Sequence, residues 1–318
     1  MPLDSANPEP TGSAATSAAP AERPSGLVAI DAPFAHGAPA GKFSPGNGES
    51  EWFQDCAEGP RMVVLPAGSF MMGSQPDEAH WRGYDGREEP MHRVEIGRPF
   101  AAGATPVTRG EFAAFVAATG HPIEPGAWAW QGRRWWAFNL DKNWRFDLTR
   151  SWSDPGYAQD DGHPAVCVSW YDAQAYCQWL SAATGKRYRL LSEAEWEYCC
   201  RAGTTTPFAT GATITRNQAN FGSNGKATTP VRSFAPNRWG LYDMHGNIWE
   251  WCEDDWHPDY TGNPPTDGSA WRDGDHALRG LRGGCWDFGR LHFRSADRGR
   301  GPRDLRNYIV GFRVAREL

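Results

Sequence analysis

No stretch of this 318-residue chain holds 18 consecutive apolar residues, so no segment reads as a membrane-spanning helix. The N-terminus has neither a basic start nor an apolar core of a leader peptide, which predicts a cytoplasmic protein. Nowhere do five or more basic residues gather, and the formal net charge is −6. A general phosphate-binding surface is therefore not expected, and neither nucleic acid nor membrane is an expected partner. The seven cysteines are odd in number and scattered, which argues against a disulfide framework and for reduced, buried thiols. There is no CxxC, no HExxH, no GxSxG and no P-loop. Gly299-Arg300-Gly301 is followed by Asp304 where a dinucleotide motif needs glycine. No two of the nine histidines lie within ten residues of each other, so no local histidine cluster offers an iron site. No repeat with a period of 20–50 residues exists, which excludes solenoids and propellers.

What the chain does have is 17 Trp and 36 Gly. That combination suits rigid aromatic anchors separated by tight turns rather than a helical bundle. Residues 1–50 are rich in Ala, Ser, Pro and Gly, cannot bury enough surface to offset their ordering entropy, and read as a disordered tail. One domain, residues 51–318, is expected beyond it, with order starting near Trp52. Met62–Leu65, Ser69–Gly73 and His92–Ile96 read as strands. Thr108 with Glu111 forms a capping box ahead of Phe112, Phe115 and Val116 at helical spacing. Residues 121–165 show no clear period and read as a long ordered loop, and Val166–Trp170 as a short strand or turn. Ala173, Tyr176, Cys177 and Leu180 mark a second helix ending near Gly185, and Ser192 with Glu195 caps a third through Trp196 and Cys200. From Pro230 onward, short apolar runs between turns predict an irregular antiparallel β-rich half. Trp196, Trp239, Trp249 and Trp251 read as core anchors. Gly283-Gly284 reads as a close backbone approach, and Arg294, Arg298 and Arg313 as partners of buried carboxylates or carbonyls.

Six segments in order carry a resemblance. They are Met62–Phe70 with Met72-Gly73-Ser74, His163–Trp170 with Asp172-Ala173, Arg189–Tyr198, Asn237–Trp251, Leu281–Trp286 and Val310–Ala315. Together they resemble the formylglycine-generating-enzyme (sulfatase-modifying-factor) family over about residues 60–318. The resemblance implies an α+β domain of the C-type-lectin-like fold group with little regular secondary structure. It also implies an oxygen-consuming oxidase whose copper-binding Cys pair lies just after the Gly-Gly segment and acts on a Cys-x-Pro-x-Arg peptide motif. At those positions this chain has Phe288 and Phe293. Phenylalanine supplies no thiolate, so neither copper ligation nor disulfide exchange is available there. Cys285 lies nearby, and Cys252 is a thiol that distant folding could bring to it. Copper and iron are not supported.

In the family a structural calcium sits around the segment matching Asp243 to Glu250. The matching ligands here are the side chains of Asp243 and Glu250 and the carbonyls of Gly246 and Ile248. A second family calcium site would begin at Asn220 and Phe221, but the loop after them lacks the expected Asp. The family's ligand cleft maps onto residues 286–309, where Trp286, Asp287, Phe288, His292, Phe293, Asn307 and Tyr308 are the candidate binding residues, with aromatics expected at the surface. The stretch also resembles variable proteins of diversity-generating retroelements. The expected function is thus a monomeric binding module for a peptide, protein or small molecule on a calcium-stabilised scaffold. Its rival is a metal-dependent oxidase or protein-modifying enzyme of the same family using a non-standard site. Phe288 and Phe293 as plain core fillers is the bland alternative.

Overall fold

The structure is a computed structural model that describes residues 41–43, 50–75, 78, 86–130, 144–222 and 227–318. Most of the expected tail lies outside the described residues. Within it, however, β1 (Gly41–Phe43) pairs antiparallel with β2 (Ser50–Phe53), with Gly41 opposite Trp52. Regular pairing thus begins before Trp52, because a partner strand can order a segment that has no core of its own.

Three helices each begin at a reciprocal capping box. Thr108 and Glu111 open α1 (Arg109–Thr119), and Ser192 and Glu195 open α3 (Glu193–Arg201), as their spacing predicts. Ser169 and Asp172 open α2 (Trp170–Thr184) in the same way, although the short aspartate disguises the motif. The segment before it is neither strand nor simple turn: Cys167 sits at φ +58 and Trp170 is already helical. Helices α1 and α2 stop at Gly120 and Gly185, both left-handed. Helix α3 stops at a left-handed, fully buried Ala202.

The strands β3 (Met62–Leu65), β6 (Phe100–Gly103), β9 (Tyr188–Leu190) and β14 (Val314–Glu317) join β1 and β2 in a six-stranded sheet of order β1-β2-β3-β6-β14-β9. The last strand of the chain thus lies between β6 and β9, antiparallel to both. A second sheet has the order β12 (Arg298–Pro302), β11 (Asp275–Arg282), β10 (Trp249–Trp256), β13 (Val310–Phe312). Its β10–β13 pair is parallel, which corrects the wholly antiparallel expectation for this half. Two hairpins complete the fold, β4 (Gly68–Met72) with β5 (His92–Ile96) and β7 (Ala127–Trp130) with β8 (Trp144–Asp147). The second lies inside the stretch read as loop. Its buried positions are Ala127 and Ala129 and its half-covered ones Trp128 and Trp130, so polarity does not alternate along it. Among the described residues no helix is long and apolar enough to cross a membrane.

Trp196, Trp249 and Trp251 are fully buried anchors. Trp239 is only partly covered and packs on Tyr198, ring centroids 4.7 Å apart. Charge is buried with them. All eight residues of β10 are buried, four of them acidic, and isolated carboxylates there would be costly. Arginines answer them. Arg298 grips Glu193 with two bonds of 2.7 and 2.9 Å. Arg313 grips Glu250 with two of 2.9 Å, and Arg294 reaches Glu88 at 2.7 Å and Glu78 at 2.9 Å. The expected internal pairing of these arginines holds. Of the aspartates interleaved with them in sequence, Asp297 stands 3.7 Å from Arg294, and the closer partners are glutamates far along the chain.

Candidate functional site

Strand β11 delivers the chain to Gly283 and Gly284, at φ +95 and +66. A side chain on Gly284 would put its Cβ 1.9 Å from the carbonyl oxygen of His292, so only glycine fits this crossing. The backbone then passes Cys285, Trp286, Asp287 and Phe288 before a 3-10 turn at Arg290–Phe293.

The seven candidate binding residues divide. Trp286 and Tyr308 are buried and join Tyr157 in a three-ring cluster with centroids 5.7, 5.7 and 6.1 Å apart. The Tyr308 hydroxyl donates to Asp287 Oδ2 at 2.9 Å, and Tyr157 donates to the Tyr308 carbonyl. Arg150 lies 5.5 Å over the Tyr308 ring. Asn307 is buried, and its side chain accepts from the Ile309 N–H at 3.2 Å, so it shapes the turn into β13. Phe293 is wholly buried against Phe221 and Phe208, centroids 4.6 and 5.8 Å away. Of the aromatics expected at the surface, Phe293 and Tyr308 are interior rings, because Tyr157, Phe208 and Phe221 from distant loops cover them, and for Phe293 the core-filler alternative holds. Asp287, Phe288 and His292 keep partial exposure, with Phe288 and His292 edge to face at 5.4 Å. Burial, and then the Arg294 charge, lowers the His292 pKa.

All seven cysteines are buried and none is in a disulfide, so Cys252 and Cys285 are not bridged. Burial pushes the Cys56 thiol up to about 11 and Cys200 to about 12, and raises Cys167, Cys177, Cys199 and Cys252 as well. Cys200 lies 3.7 Å from His245 Nε2, which resembles a nucleophile and its base. Yet His245 Nε2 already accepts from the Ala209 N–H at 3.0 Å and its Nδ1 lies 2.9 Å from the Phe293 carbonyl. Both ring nitrogens are engaged by backbone, so the ring is held neutral and structural.

At the expected calcium ligands, Asp243 Oδ2 accepts from the Arg232 N–H at 2.9 Å. Glu250 Oε2 accepts from Trp196 Nε1 at 2.8 Å and from Arg313, whereas Oε1 accepts a single bond, also from Arg313. The Gly246 carbonyl accepts from the Ile248 N–H at 3.0 Å. Burial pushes Asp243 up to about 6, and the Glu250 charge adds to that against the Arg232 N–H and Arg313. These donors are all oxygens, the kind calcium takes, but Arg313 already neutralises Glu250. Among the described residues no three or more His, Cys, Asp or Glu side chains form a metal-binding group.

Sequence reasoning missed Tyr157, Arg150 and Trp144, which pack beneath Tyr308. They come from the stretch without period, and only the folded structure brings them there.

The profile of the sulfatase-modifying factor enzyme 1-like domain matches residues 49–318. The formylglycine-generating enzyme of Streptomyces coelicolor is 34% identical over 294 residues, spanning 80% of this chain and 88% of the relative. PvdO from Pseudomonas aeruginosa superposes with a TM-score of 0.71 at 40% identity, covering 87% of this chain and all of that one. Treponema denticola variable protein 1 shares the fold at a TM-score of 0.60 and 23% identity, covering 88% of this chain and 99% of its own. The fold is the C-type-lectin-like α+β arrangement with little regular secondary structure.

Proposed function

The chain belongs to the sulfatase-modifying factor enzyme 1-like family, and from that premise we propose that it is a binding member of it, which recognises a peptide, protein or small ligand at the 286–309 face without thiol oxidation. One observation carries this reading: the two positions that would hold the redox cysteines are Phe288 and Phe293, one lining the face and one sealed in the core. Around them Gly284, the Tyr157–Trp286–Tyr308 cluster and the Asp287–Tyr308 bond hold a rigid platform. Asp287, Phe288 and His292 line its open edge and supply an acid, an apolar ring and a titratable ring. A rigid aromatic edge gives contact area at low entropic cost.

The experiment uses a peptide bearing Cys-x-Pro-x-Arg, incubated with protein, copper and oxygen. Saturable binding, lost in Phe288→Ala and in His292→Ala while both variants keep the wild-type melting temperature, is expected, with the peptide recovered unchanged by mass spectrometry. Conversion of its Cys to formylglycine above a protein-free control would establish the enzymatic reading that the relatives' names favour. Binding that survives both substitutions would move the site elsewhere.

The same proposal includes calcium held by Asp243, Glu250 and the Gly246 and Ile248 carbonyls. Its role would be to neutralise the Asp243 charge and pin the loop before β10. Calorimetric titration of chelator-treated protein with calcium should show one site, weakened at least tenfold in Asp243→Ala. Identical melting temperatures in calcium and in chelator would remove the ion from the account.

A further inference from the structure

Away from the 286–309 face lies a cavity of about 370 Å³ that shares no lining residue with it. Trp52 of β2 and Arg61 and Val63 at β3 form one wall. Thr105, Thr108 and Glu111, from the entry to α1, form another, and Arg232 and Tyr242 close the third. We propose that this cavity is a binding site for a small monoanionic carboxylate with a planar body, held between the guanidinium groups of Arg61 and Arg232.

Two arginines lining one cavity invite a common counter-ion. The Arg61 guanidinium stacks on Trp52, its carbon 4.3 Å from the ring centroid, and neither Arg61 nor Arg232 forms a side-chain hydrogen bond or ion pair with a described residue. The covered Arg189, Arg298 and Arg313 take carboxylate partners at 2.6–2.9 Å, whereas Arg61 and Arg232 are exposed at the cavity. Arg232 is held in the left-handed region at φ +64, with its N–H bonded to Asp243, an uncommon posture for a non-glycine residue that fixes where the side chain begins. The Arg61 guanidinium feels Arg232: burial and then the Arg232 charge lower the Arg61 pKa. An oxyanion between them would relieve that repulsion and offer planar acceptors that match the guanidinium fork.

The rest of the lining narrows the ligand. Glu111 is committed to the capping box and lies on the same wall; burial raises its pKa and the Arg232 charge lowers it, so this carboxylate offsets part of the two arginines' charge and leaves room for a single carboxylate rather than a phosphate dianion. The Trp52 and Tyr242 rings and Val63 suit a flat apolar body. Thr105 is buried and brings a hydroxyl with no hydrogen bond to a described residue.

Benzoate is the probe, with benzamide as its uncharged counterpart and inorganic phosphate as the competing oxyanion, each titrated calorimetrically into the full chain at low ionic strength. Saturable benzoate binding is expected, at least tenfold tighter than benzamide and phosphate, and weakened tenfold or more in Arg61→Gln and in Arg232→Gln. Arg232 is exposed, so its variant should keep the wild-type circular dichroism and melting temperature and decides the matter if Arg61→Gln does not fold. Phe288→Ala should bind benzoate as the wild type does, which separates this site from the 286–309 face. Absent benzoate binding, equal binding of phosphate, full binding by Arg232→Gln, or loss in Phe288→Ala would each overturn the proposal.

Discussion

Glu197 illustrates how this interior tolerates charge. Its Oε1 accepts from Arg201 at 2.8 Å and from the Gly73 N–H at 3.0 Å, while Oε2 accepts from Arg282. Burial alone would raise its pKa, but the two guanidinium groups and the Gly73 N–H outweigh it and lower it. Neutralising the acid without changing its shape leaves two arginines buried around an amide. Glu197→Gln should therefore cost about 3–5 kcal/mol, read as a lower urea midpoint at unchanged slope. A cost under about 1 kcal/mol would mean that water reaches these groups. Glycines separate in the same residue-by-residue way. Gly284→Ala forces a Cβ against a backbone oxygen from a left-handed position, so a loss of about 1–3 kcal/mol or more is expected. Gly289 has open space around it and an ordinary φ of −75, so Gly289→Ala should stay within about 0.5 kcal/mol of wild type. Thermal melts of the two variants side by side test the contrast.

At the scale of elements, α2 depends on one side chain more than its neighbours do. Asp172 closes the capping box with Ser169, and it also accepts from Arg306 at 3.1 Å and pairs with His121 at 3.0 Å. Burial raises its pKa, yet the His121 bond, the Arg306 charge and the Ser169 groups together lower it below the usual value. A depressed carboxylate stabilises the fold above its unfolded pKa, and that contribution is lost as pH falls through the folded value. Asp172→Asn should cost about 1.5–3 kcal/mol at pH 7, and the gap from wild type should close as pH is taken below about 4. A pH-independent gap would assign the loss to shape rather than charge. Local signals of this kind were largely legible in the sequence: two of the three capping boxes, the helix-ending Gly185 and strands β3, β4 and β5 follow from short-range spacing. What local spacing could not convey is pairing at a distance. The parallel contact of β10 with β13, the place of β14 between β6 and β9, and the partner that orders β1 are fixed by tertiary packing.

For the whole molecule, the same division explains the candidate site. That phenylalanines stand at 288 and 293 was readable in the sequence, whereas the covering of Phe293, Trp286 and Tyr308 was not, since Phe208, Phe221 and Tyr157 arrive from elsewhere in the chain. The cavity around Arg61 and Arg232 left no mark on the sequence either, as its walls come from three separated segments. A global property follows that tests the absence of thiol chemistry. Every cysteine is buried and none is in a disulfide, and burial holds six of the seven above the ordinary thiol range. Alkylation needs a thiolate that the reagent can reach, and a working oxidase needs a thiolate as nucleophile and metal ligand. The native protein at pH 8 should therefore resist iodoacetamide over a period in which a urea-unfolded sample gains seven adducts by intact mass. Labelling should appear only along the unfolding transition, and all at once if the domain opens cooperatively. Should Cys285 or Cys252 react early in the folded protein, one of them would be an accessible thiolate. The oxidase reading would then gain the nucleophile that Phe288 and Phe293 deny it.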